Sequence, residues 1–436
     1  MFRGFESHGL RQFFATMTRF PNLFLESMPL TKNAKALRRA NPRHGVLKAR
    51  SAGRNLFSVL WRGLAVLLSA TLIVAGYSAG TIASQLKNGG IQLTDANGNA
   101  IAAPANLKGP INMLLVGSDT RAGQGGGFGN VTSNLADVII LLHVSANRKN
   151  AVAMSFPRDL MVPFPACPST SGGPGYLPQS LGQINATIAN GGPGCTLLTV
   201  ESITGLKIPY LAMINFKGVI EMSNAVGGVD VCVANRIHDT YTRLDLGPGM
   251  HTLQGLQALQ FLRTRHGIGD GSDLSRISNQ QVFMSALFRK IKSQGVLTNP
   301  VYLYSLASAA ARNMTLSSNM TDLSVLVGLA SSLKKVSPET MTFIQVPSMG
   351  GMPAPNQGRV QLVPDQSQLL FTKLQNDEPL VLAKSNPGAG AQATLAPTAT
   401  PSASSSASAS ASPSASGSAL PDWVRGTKGS SSTCSN

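Results

Sequence analysis

The chain has 436 residues, 43% of them hydrophobic and 13% charged, with four cysteines and a formal net charge of +17. Residues 1–62 hold twelve Lys/Arg against two acids, so the rest of the chain carries only +7 and the basicity belongs to one end. No zinc-ligand spacing, RNA-binding aromatic signature or basic recognition helix accompanies that charge, which argues against nucleic acid as a partner.

Residues 1–62 read as a basic cytoplasmic tail, broken by Pro29 and Pro42 and expected to be poorly ordered; Met28 is an alternative start. Gly63 to Ala83 then runs twenty-one residues without a charge. At helical rise that length crosses a bilayer core, so a transmembrane helix is predicted over 63–83. Arg50, Arg54 and Arg62 precede the span and only Lys87 closely follows it, which places the N-terminus in the cytoplasm and the rest outside. Residues 84–104 read as a Gly/Asn/Ala-rich linker.

A folded domain is expected over 105–380. Its first strand is the apolar run Ile111 to Val116, which ends in Gly117, Asp119 and Arg121. A loop, Gly123 to Asn130, separates it from Asp137 and a second strand, Val138 to Val144. A third, Ala151 to Phe156, leads into Pro157, Arg158 and Asp159. These nearly unbroken Val/Ile/Leu runs suit strands buried on both faces of a sheet. Farther on, Thr196 to Gly205 reads as a helix, Ile208 to Phe216 as a strand, Lys217 to Val226 as a helix and Val229 to Val233 as a short strand. Leu253, Leu256, Leu259 and Leu262 recur every three residues and predict another helix. Helices over Gln281–Ser293, Asp322–Val336 and Ser367–Leu374 and a strand over Met341–Val346 complete the pattern. Alternating strands and helices argue for a layered α/β domain with a central, mostly buried sheet. From residue 381 the composition falls to Ala, Ser, Pro, Thr and Gly, and 381–436 is expected to be a disordered tail.

Cys167, Cys195, Cys232 and Cys434 match none of the usual metal spacings. A disulfide between Cys167 and Cys195 is expected, because it would tie down the Pro/Gly-rich loop between them. Cys232, within a strand, is expected to be a buried free thiol, with Cys434 in the tail.

The chemistry concentrates where strands end. Asp119 and Asp137 sit at such ends, where ligands of open α/β sheets bind, and two carboxylates there suit one Mg²⁺. Arg263 and Arg265 close the leucine-spaced helix, a loop with Gly267, Gly269 and Gly271 follows, and Asp273, Arg276 and Gln280 come next at spacings that share one helix face. Singly, the aspartates read as turn caps and the arginines as surface ion pairs. With Arg121 and Arg158 added they suit a diphosphate, because guanidinium forks match phosphate oxygens two at a time.

Together these motifs resemble the LytR-CpsA-Psr family over residues 111–293. The resemblance implies an extracytoplasmic enzyme, anchored in the cell membrane by a single pass. It would move a glycopolymer from a polyprenyl-diphosphate carrier to peptidoglycan with Mg²⁺. Asp119, Asp137, Arg158 and Asp159 would be catalytic, with Asp119 and Asp137 holding the metal. Arg121, Arg263, Arg265, Arg276 and Gln280 would bind substrate. In two places the chain departs from the family: Asn279 precedes the glutamine where arginine is frequent, and Asn134-Leu135 stand where another arginine is common. Two other readings use the same residues: a lipid pyrophosphatase, and a non-enzymatic regulator that binds the cell wall.

Overall fold

The computed structural model describes residues 52–102, 104, 106–121, 134–169, 173–293, 299–393 and 419–436. The basic tail up to residue 51, the loop Gly123–Asn130 and the Ala/Ser-rich tract 394–418 lie outside the described residues. The chain divides into two units, Met1–Leu68 and Ser69–Asn436. In the first, the described residues belong to helix α1 (Ala52–Asn88), which continues into the second. From Phe57 to Leu86 this helix is long and apolar enough to cross a membrane. Trp61, Leu67 and Ile73 stand exposed along it, a surface that suits lipid.

Strands β1 (Ile111–Ser118), β2 (Ala136–Val144) and β3 (Ala151–Phe156) fall where the apolar runs predict them. The hairpin β4 (Met161–Phe164) and β5 (Gln179–Gln183) leads to helix α2 (Thr187–Thr204) and strand β6 (Tyr210–Ile214). Helix α3 (Phe216–Ala225) precedes β7 (Val229–Val233), β8 (Ile237–Asp239), β9 (Leu244–Leu246) and β10 (Gly249–Leu253). Helices α4 (Gly255–Arg263), α5 (Asp273–Ser293) and α6 (Pro300–Asn313) lead to β11 (Met314–Leu316), α7 (Leu323–Lys335) and β12 (Met341–Gln345). The two-residue strands β13 (Ser348–Met349) and β14 (Gln361–Leu362) precede α8 (Pro364–Gln375) and the short strands β15 (Ala391–Ala393), β16 (Gly426–Lys428) and β17 (Thr433–Ser435).

Seven strands form one mixed sheet in the order β11-β6-β1-β2-β3-β12-β16. Its strands alternate their side chains between two cores. Leu114, Val116, Ile139 and Leu141 face the core that holds Leu197 and Val200 of α2 and Leu370 and Phe371 of α8. Met113, Ile140 and Leu142 face the other, with Leu329 of α7 and Ile82 and Leu86 of α1. Helices thus cover both faces, which is why the central strands read as nearly continuous apolar runs. A four-stranded sheet, β10-β7-β17-β15, shares a third core with α4 and α5, including Val231, Phe261 and Phe283.

Two stretches differ from the sequence reading. The linker is part of the domain: Ile91 donates to the Leu316 carbonyl and accepts from Ser318, and Leu93 is 2% exposed within the first core. The tail is not uniformly disordered either. After the undescribed tract, Leu420 and Val424 pack into the first core, β16 pairs with β12, and β17 pairs in parallel with β7. Those pairings join Cys232 to Cys434, besides Cys167 to Cys195, and the described residues include no free cysteine. The expected Cys167–Cys195 bridge is present; the expected free thiol at Cys232 is not. A partner 202 residues away lies beyond any local pattern.

Candidate functional site

The site is built on the ends of β1 and β2. Gly117 lies opposite Val138 and Ser118 opposite Ala136, so Asp137 is the extra residue of a bulge. Bulges re-aim a side chain, here a carboxylate at the end of a central strand. Only glycine fits opposite it, because a Cβ at Gly117 would lie 2.9 Å from the Val138 Cβ. Just beyond β1, the Asp119 amide donates to the Leu135 carbonyl and its Oδ1 accepts the Leu135 N–H at 2.7 Å. Both aspartates therefore stand at neighbouring strand ends.

Asp137 is the hub of the charge network. Its Oδ1 accepts from Arg158 Nη1 at 2.6 Å and lies 3.9 Å from Arg276 Nη1, while its carbonyl accepts from Arg276 Nη2 at 2.8 Å. Asp273, which opens α5, ties the same two arginines from behind. One of its oxygens is 2.6 Å from Arg276 Nη2, and the other accepts the Arg158 backbone N–H at 3.2 Å. Burial opposes the Arg158 charge, yet Asp137, and then Asp273 and Asp159, outweigh it and raise the guanidinium's pKa. At Arg276, burial prevails over both aspartates and lowers it. Arg263 is lowered chiefly by burial, which Asp137 opposes and Arg121 reinforces, so these sequence-predicted residues do converge. Its guanidinium lies 4.3 Å from the centre of the Phe216 ring, a cation–π contact with no signal in the sequence.

Several buried donors of the site lack an acceptor among the described residues. The Nε atoms of Arg121, Arg265 and Arg276 are buried without a hydrogen-bond acceptor among the described residues, whereas that of Arg158 faces Asp273 Oδ1 at 3.5 Å and Asp159 Oδ2 at 3.7 Å. Buried donors normally find partners, and three unsatisfied guanidinium N–H groups around one site suit an anion with several oxygens. Next to them opens an apolar cavity of about 330 Å³, lined at its charged end by Asp137, Arg263, Arg276 and Gln280. Val219 and Met222 of α3, Phe283, Leu287 and Ile291 of α5 and Leu306 of α6 continue it. From Arg276 to Ile291 the cavity follows α5 for fifteen residues, about 22 Å at helical rise.

Three positions take roles that the sequence reading did not assign. Asp159 is committed elsewhere: its Oδ1 accepts from Gln183 Nε2 at 2.7 Å and Arg359 Nη1 at 2.6 Å, and it reaches Arg158 only at 3.7 Å. Asn279 is fully buried. It donates to the Phe261 carbonyl at 2.7 Å and accepts from Ser435, so it braces α4, α5 and β17. Asp239 is 1% exposed and accepts the backbone N–H groups of both Arg265 and His266, which fixes the arginine's backbone.

Known proteins share this architecture and these sequence features. The chain is 34% identical over 212 residues to the probable cell wall biosynthesis protein LcpB of Corynebacterium glutamicum, covering 47% of each. To the cell wall biosynthesis protein LcpA of the same organism it is 25% identical, over 73% of this chain and 65% of that one. The matched regions thus span about half to two thirds of these relatives. It is 29% identical, over 52% of this chain and 66% of that one, to the Bacillus subtilis polyisoprenyl-teichoic acid–peptidoglycan teichoic acid transferase TagT. Among solved structures, a Streptococcus agalactiae protein has the same fold with a TM-score of 0.52 at 20% identity, covering 62% of this chain and 88% of that one. Bacillus subtilis TagV does so with a TM-score of 0.50 at 21% identity, over 62% and 97%. With the LytR_cpsA_psr family pattern matched over residues 75–376, well over half its length, the chain belongs to the LytR_cpsA_psr family.

Proposed function

We propose that this chain transfers a glycopolymer from a polyprenyl-diphosphate carrier to peptidoglycan, at the outer face of the membrane that α1 crosses. The observation that carries this reading is the joining of an apolar cavity, lined along α5 from Arg276 to Ile291, to a cluster of guanidinium groups with unmet donors. A ligand with a long apolar tail and a multiply charged head satisfies both halves at once. The excess of Lys/Arg before the span supports a cytoplasmic N-terminus. TagT, similar to this chain, is by name a transferase of polyisoprenyl-linked teichoic acid to peptidoglycan.

In this reading Arg158, Arg263, Arg265 and Arg276 hold the diphosphate and offset the charge that gathers on it. A hydroxyl of peptidoglycan attacks the phosphorus that bears the sugar; the new P–O bond forms as the bond to the bridging oxygen breaks, and polyprenyl phosphate leaves with the hydroxyl's proton on its freed oxygen. Among the described residues no group of three or more His, Cys, Asp or Glu is placed to hold a metal, and two carboxylates, those of Asp119 and Asp137, stand as a pair at neighbouring strand ends. That pair, Asp119 and Asp137, fits Mg²⁺, which takes few protein carboxylates and completes its shell with water and phosphate oxygens. Bound there, Mg²⁺ would supply charge neutralisation to the diphosphate.

The test is transfer of a labelled polyprenyl-diphosphate glycan to peptidoglycan fragments by the full-length protein in membranes, with and without a chelator. Wall-bonded label that falls on chelation is expected; free glycan as the only product would make the chain a hydrolase, and no turnover a binding protein. Within the same assay, Arg265→Lys is expected to lose about ten- to a hundredfold in rate, because a point charge cannot replace a two-pronged donor.

A further inference from the structure

Beside the arginines stands a surface feature that a diphosphate and its lipid tail leave unused. Tyr241, in the turn between β8 and β9, is 79% exposed, and its ring centroid lies 4.3 Å from that of exposed His266, the planes tilted by 34°. His266 directly follows Arg265 in the chain.

This aromatic pair is held rigidly to the charged site. Asp239 accepts the N–H groups of Tyr241 at 2.9 Å and Thr242 at 3.2 Å, and those of Arg265 at 3.0 Å and His266 at 3.2 Å. One buried carboxylate therefore fixes the turn and the arginine loop together. The hydroxyls of Thr242 and Thr264, the latter between the two arginines, meet at 2.9 Å. Arg243 in the same turn takes a φ of +60°, a backbone strain that a non-glycine residue keeps only when its surroundings impose it. An exposed tyrosine is ordinary; one whose backbone shares an anchor with a substrate-gripping arginine is placed.

We propose that Tyr241 and His266 form a stacking platform for the donor's first sugar, the one bonded to the diphosphate. This rests on the transferase reading of the neighbouring site. Pyranose rings present apolar C–H faces ringed by hydroxyls, and an aromatic face in partial contact with water matches the former without desolvating the latter. In that reading Arg263 and Arg265 hold the diphosphate, and His266 directly follows Arg265 in the chain. Tyr241 and His266 thus act on recognition of the glycan, and Asp239 is a positioning residue for both halves.

The experiment compares two ligands on full-length protein in nanodiscs: a polyprenyl diphosphate bearing one N-acetylglucosamine, and the same lipid diphosphate without sugar. Tyr241→Ala is expected to weaken binding of the sugar-bearing lipid about tenfold and leave the sugar-free lipid unchanged. Tyr241→Trp should keep wild-type binding of both. In the transfer assay the loss should fall on KM rather than kcat. Wild-type affinity for the sugar-bearing lipid in Tyr241→Ala, or equal losses for both lipids, would overturn the platform and leave the transferase reading intact. Wild-type protein that binds neither lipid would overturn both.

Discussion

Asp137→Asn is expected to lower polymer transfer by about 10²–10³-fold, the largest catalytic loss of any single change at this site. The carboxylate faces Arg158 at 2.6 Å and Arg276 at 3.9 Å, and it opposes the lowering of Arg263. It is also one of the pair suited to the metal. Removing its charge leaves the four guanidinium groups to meet the diphosphate alone. Ground-state binding should therefore hold or tighten while the chemical step fails, so kcat falls and KM does not rise. That split separates a role in turnover from simple damage to the site. Stability should drop modestly, by about 1–3 kcal/mol, since the ion pair with Arg158 is about a fifth exposed on both sides and solvent screens part of it. Steady-state transfer kinetics with thermal unfolding of the same preparation read both quantities. A variant with wild-type kcat would falsify the assignment of Asp137.

The largest effect on stability is expected from the double substitution Cys232→Ser and Cys434→Ser. A crosslink spanning 202 residues removes about 5 kcal/mol of chain entropy from the unfolded state, against about 3.5 kcal/mol for the 28-residue separation of Cys167 and Cys195. The bridge also holds β17 on β7, and through Ser435 it backs Asn279, the brace between α4 and α5. Its loss should weaken the third core and loosen the two helices that carry Arg263 and Arg276. Denaturant unfolding under non-reducing conditions gives the number, and a deficit below about 1 kcal/mol would show that the terminal strands hold without it. Transfer activity at low temperature, where the variant stays folded, should fall less than stability does, because neither cysteine faces the cavity.

Much of the domain was legible from local pattern alone. The three central strands and β7 follow from β-rich apolar runs, and α4 from leucines at helical spacing, because such periodicity expresses which face of an element must leave water. That these charged residues would lie near one another was legible too, since they fall at strand ends and beside a glycine loop. The terminal strands were not: Gly426–Lys428 and Thr433–Ser435 are three residues each, in a Ser-rich stretch with no apolar alternation. They are strands because β12 and β7 offer unpaired edges, and an edge accepts almost any sequence that can extend. The same distinction runs through the site. That Arg158 and Arg276 are suited to an anion is a matter of residue type; that Asp273 holds them both, that Asp159 accepts from Arg359, and that Asn279 is a brace are matters of distance. The cavity belongs wholly to the tertiary structure. Val219, Phe283 and Leu306 would read the same in any packed core, and only the separation of α3, α5 and α6 leaves a space between them.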